Sequence, residues 1–119
     1  MTKKEYVAQL PAKKTDEKKV SKVQDIYGTE IPDIVKKIIS NNDESIFFDD
    51  DYRILSYQEV VDAETDLHVD FKAKGVIPLA DCGENDFIVY HFNDGIWSKF
   101  NIIDETVFKK KNTIEELLK

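Results

Sequence analysis

The sequence predicts an α+β fold, a single domain with a central, mostly antiparallel sheet flanked by helices. Three observations carry this. The apolar runs Phe87–Phe92 and Ile96–Ile103 flank Asn93-Asp94-Gly95, a two-strand hairpin signal because those residues accept the positive φ that a tight turn needs. Two S/T-x-x-E boxes, Ser56 to Glu59 and Thr113 to Glu116, mark helix starts that follow strand-like segments. The chain has 119 residues, 41% of them hydrophobic, which suffices for one core and not for two of ordinary size.

Taken in order, residues 1–17 have few apolar side chains, two lysine pairs and Pro11, and read as a flexible basic arm ahead of a domain over 18–119. Val20, Val23, Ile26 and Tyr27 share one helical face, and Gly28 stops that helix. Pro32 suits a first helical position, and Ile34, Val35, Ile38 and Ile39 make a second apolar stripe ending at Asn41-Asn42. Ile46-Phe47-Phe48 and Tyr52-Arg53-Ile54-Leu55 are short strands around the acidic turn Asp49-Asp50-Asp51. The helix entered at Ser56 runs through Val60 and Val61 to Asp66 or beyond. Val76-Ile77-Pro78-Leu79 suits a strand end or an edge, because proline donates no ladder hydrogen bond, and Asp81-Cys82-Gly83-Glu84-Asn85 is turn chemistry. Phe87–Phe92, apolar on both alternating faces except at His91, reads as a central strand covered on both sides. Ile114, Leu117 and Leu118 are the apolar contacts of the last helix.

Charge narrows the function classes. The net charge is −7, and residues 43–94 hold fourteen acids against Arg53, Lys72 and Lys74. A body of that sign disfavours a nucleic-acid backbone or an anionic membrane and favours a basic protein partner. The longest apolar runs are far below the roughly 20 residues of a spanning helix. The basic start Met1–Glu5 is followed by no apolar signal region, and the single Cys82 has no internal disulfide partner. The expectation is a cytoplasmic protein.

No phosphate-binding glycine motif occurs, and nucleophilic catalysis has only Cys82 and His91 to draw on. One lies in a turn and the other near the far end of a strand, roughly 20 Å away at ~3.3 Å per residue. Asp49-Asp50-Asp51 lacks the alternating spacing of a calcium loop. Asp66, His68 and Asp70 could share one side of an extended segment, but without a second paired histidine or a cysteine set they are read as structural. No cofactor, metal or catalytic residue is assigned.

The element order and the segments Tyr27-Gly28, Ile31-Pro32, Ile38-Ile39, Asn41-Asn42, Ile54-Leu55-Ser56, Glu59-Val60 and Ile77–Phe87 resemble the SUKH superfamily over residues 18–119. That superfamily includes bacterial toxin-immunity proteins and yeast cell-wall signalling regulators. The resemblance implies a protein-binding domain without catalysis, in bacteria typically one that neutralises a toxin, often a nuclease. The expected partner surface comprises Asp49, Asp50, Asp51, Asp62, Glu64, Asp66, Asp70, Glu84 and Asp86, with Trp97 as an aromatic anchor. The cognate toxin or another basic protein is the expected partner. An intracellular regulatory or scaffold adaptor, with the basic arm as a second contact, is the alternative, followed by a small hydrolase.

Overall fold

The structure, a computed structural model, describes residues 1–118. The helices are α1 (Lys3–Gln9), α2 (Glu17–Tyr27), α3 (Asp33–Ser40), α4 (Tyr57–Leu67), α5 (Phe71–Lys74) and α6 (Ile114–Leu117), with a 3-10 turn at Leu10–Ala12. The strands are β1 (Ile46–Phe47), β2 (Arg53–Ile54), β3 (Val76–Gly83), β4 (Asp86–His91), β5 (Ile96–Asn101) and β6 (Val107–Lys111). They pair in chain order as one six-stranded antiparallel meander. The expected α+β domain is present.

Local chemistry explains the element ends. Gly28 caps α2 at φ 65°, with its N–H donating to the Gln24 carbonyl. Ser56 and Glu59 form the full capping box of α4, and Thr113 caps α6. The expected hairpin joins β4 to β5, with Tyr90 opposite Trp97 and His91 opposite Ile96.

Residues directly opposed across a ladder share a face. Phe87, Val89 and His91 with Phe100, Ser98 and Ile96 therefore make one face of β4–β5, and Ile88 and Tyr90 with Lys99 and Trp97 make the other. Both are covered. On the first face Phe71 of α5 meets Phe100 at 5.9 Å between ring centres, and Ala63 and Leu67 of α4 share a small groove with Phe87. On the second, Tyr6 of α1 packs edge-on against Phe48 at 5.6 Å, and α1 and α6 line a common cleft through Val7 and Leu118. Helix α2 is tied to α4 by the Tyr27 hydroxyl, which donates to the Val60 carbonyl at 3.2 Å.

Four expectations are corrected. Residues 1–17 are not a mobile arm over their whole length: α1 forms, and Tyr6 and Leu10 are buried in the common core. Pro78 lies inside β3, third of six strands, at a non-hydrogen-bonded position opposite Val89 and beyond the residues that pair with β2, so the ladder loses no bond to its missing N–H. Asp81-Cys82-Gly83 belongs to the same strand, leaving only Glu84 and Asn85 as the turn. Trp97 is 3% exposed and packs on Tyr90 at 5.0 Å, so it is a core residue and not a partner anchor.

Candidate binding surface

An up-and-down meander sends alternate turns to the same end of its sheet. Here the β1–β2, β3–β4 and β5–β6 turns share one end, brought together by one hydrogen bond and one close approach. The Asn85 carbonyl accepts from the Ile102 N–H at 2.9 Å, tying the second to the third. A Cβ on Gly83 would stand 3.6 Å from the Asp51 Cβ, which places the first turn against the second. Asp49, Asp50 and Asp51 therefore meet Glu84 and Asp86 at this end, although more than thirty residues separate the two groups in sequence.

The carboxylates there differ in engagement. Asp49, Asp51 and Glu84 are exposed and have no ion-pair partner among the described residues. Asp104, in the β5–β6 turn, is exposed and accepts only from its own loop, from the Thr106 N–H at 3.0 Å. Asp50 is paired with Lys3, whose ammonium holds its carboxyl below the usual range against the opposing effect of desolvation. Asp86 accepts from Asn101 at 2.9 Å. Glu105 pairs with Lys74 at 2.8 Å.

The base of the β1–β2 turn rests on a polar hub. Glu59 accepts from the Arg53 guanidinium at 2.8 Å, the Ser45 hydroxyl at 2.7 Å and the Ser56 N–H at 3.0 Å. Burial pushes its carboxyl up, but those three donors outweigh it and hold the group at about 2. Arg53 also reaches Asp81 at 3.4 Å. Two strands, the loop before them and α4 are thereby fixed relative to one another.

Three of the four remaining expected acids serve local structure. Asp62 accepts from Gln58 on its own helix at 2.8 Å, Glu64 from the Lys72 N–H at 3.0 Å, and Asp70 caps α5 through the Ala73 N–H at 3.1 Å. Asp66 lines the groove between α4 and the sheet with Arg53, Asp81 and Phe87. His68 ends α4 in the left-handed conformation, so Asp66, His68 and Asp70 do not lie along one extended segment. No three metal-ligating side chains converge among the described residues.

The half-buried Cys82 thiol is pushed up to about 11 by desolvation. His91 faces Val76 across the β3–β4 ladder, whereas Gly83, next to Cys82, faces Asp86, so the two side chains lie at opposite ends of that ladder. His91 meets the Ser98 hydroxyl at 2.7 Å, and burial moves its imidazole below the ordinary value. Tyr52 and Lys99, which the sequence reading did not single out, join the β1–β2 turn to β5 through a hydroxyl–ammonium contact. No described helix is long and apolar enough to cross a membrane. Protein-family models give no match to this chain, and the curated proteins include no significant relative.

Proposed function

We propose that the chain is a non-catalytic binding domain of SUKH type that presents the acidic end of its sheet to a basic protein, as an immunity protein neutralising a toxin in the cytoplasm. The observation that carries the reading is the collection of Asp49, Asp51, Glu84 and Asp104 from three separate turns at one end of the meander. Carboxylates that repel one another at close quarters cost folding free energy, and a cationic partner offsets that cost on binding. Their negative potential steers encounter, and a toxin with a basic catalytic cleft, such as a nuclease, would be both attracted and covered. The resemblance of residues 18–119 to the SUKH pattern supports the same reading. The adaptor alternative drew on a free basic arm as its second contact, and the burial of Tyr6 and Leu10 removes much of that arm's freedom.

The test is affinity capture from the source cells with the native chain and with an Asp49→Lys, Asp51→Lys, Glu84→Lys variant. These three positions are exposed and outside the ion pairs, so the fold should tolerate them. The expected result is a basic protein held by the native chain and lost from the variant. Equal recovery of that protein by both would contradict the proposal.

A further inference from the structure

Lys3 crosses from α1 to the acidic end and places its ammonium 3.8 Å from the centre of the Tyr52 ring while pairing with Asp50. A carboxylate beside an aromatic face suits a primary ammonium, which gains from the charge of one and the quadrupole of the other. The Lys3 side chain is 18% exposed, so much of its water has been replaced by these groups, whereas Asp50 remains 49% exposed and open to solvent. An open groove of about 360 Å³, lined by Thr2, Lys3, Lys4, Phe48, Asp49 and Asp50, leads to the pair. The hold of α1 on the domain does not depend on this contact, because Tyr6 and Leu10 are buried further along the segment. The ammonium can therefore leave while the helix stays.

We propose that Asp50 and Tyr52 form a lysine-binding site at the acidic end, that Lys3 is its resting intramolecular occupant, and that a lysine of the basic partner takes its place on binding. The inference rests on the acidic end being the partner-facing surface, and it deepens that reading by naming the side chain received there. Asp49 borders the same groove and Asp51 is next in sequence, so an incoming lysine meets a rim of carboxylates before it reaches the ring. Exchange of one ammonium for another keeps the pair with Asp50 filled in both states. Binding is then weaker than the open site would allow, by the strength of the Lys3 contact.

The probe is a fluorescent tetralysine peptide, titrated by anisotropy at low ionic strength, with circular dichroism confirming the fold of each variant. Lys3→Ala frees Asp50 and the part of the Tyr52 ring that Lys3 covers, leaving Lys99 in place at 4.9 Å from the ring centre, and retains a good helix former, while Lys4→Ala makes the same change of net charge one residue away. Lys3→Ala should bind about fivefold more tightly than the native chain, the combined effect of one exposed ion pair and one cation–π contact. Lys4→Ala should gain distinctly less, and adding Asp50→Asn to Lys3→Ala should abolish the gain. Equal gains from Lys3→Ala and Lys4→Ala, or a gain that survives Asp50→Asn, would overturn the lysine site while leaving acidic-end binding intact. Absence of tetralysine binding by every variant would overturn the acidic-surface reading together with the site.

Discussion

Replacing Glu59 with glutamine tests the hub that supports the β1–β2 turn. The side chain keeps its size and an acceptor oxygen for Ser56 and Ser45, but it loses the charge that Arg53 faces. The carboxyl sits at about 2 in the folded protein against an ordinary 4.5. That difference corresponds to at most ~3.4 kcal/mol, and because the side chain is 37% exposed, solvent screening reduces it to roughly 1–2 kcal/mol. A folded value below the unfolded one contributes stability that is complete above the unfolded value and is lost as pH falls through the folded one. Urea denaturation should therefore show Glu59→Gln about 1–2 kcal/mol less stable than the native chain at pH 7, with the gap closing between pH 4.5 and pH 2. Asp50 and Asp104 are also held low and add to the acid slope of both proteins, so the difference between the curves isolates Glu59. Parallel curves across that window would refute the reasoning.

Trp97→Ala should cost about 3–5 kcal/mol in urea denaturation, as the loss of a buried indole does, and Tyr6→Ala about 2 kcal/mol. Tyr6→Ala with unchanged stability would restore the mobile-arm reading of residues 1–17. The Cys82 thiol should react with iodoacetamide at pH 7.5 at least ~100-fold more slowly than a free cysteine and at the ordinary rate once the chain is unfolded. Fast labelling of the folded protein would place the sulfur in water.

The parts of the fold that were legible in the sequence are those decided by neighbouring residues. Gly28, Ser56 with Glu59, Thr113 with Glu116, and Asn93-Asp94-Gly95 act within a few positions, and each stands where its chemistry indicates. Helix α1 was not legible, because Pro11 follows its short apolar stripe and its reason to order is Phe48, far along the chain. Strand β6 was missed for a related reason. It is an edge strand in which Phe108 alone is half-buried and Lys109, Lys110 and Lys111 face solvent, so no alternation marks it, although edge lysines are a common guard against further strand pairing. Without β6 there was no β5–β6 turn, and Asp104 and Glu105 went unremarked.

The candidate surface was half legible. Composition located the acids in the middle of the chain, and Asp49, Asp50, Asp51, Glu84 and Asp86 do meet. Which acids cap backbone and which stay available was not visible, since Glu64 and Asp70 are committed by the geometry of the α4–α5 corner. The partial neutralisation by Lys3 was equally hidden, because it requires α1 to dock. Trp97 was misjudged because exposure of an aromatic depends on which side of the sheet its register assigns it to, and both sides are covered.

The most direct test of the acidic end is the association rate of the captured partner measured from low to physiological ionic strength. A steep fall for the native chain and a shallow one for the Asp49→Lys, Asp51→Lys, Glu84→Lys variant is the predicted result. A native rate indifferent to salt, or the same slope in both proteins, would contradict it.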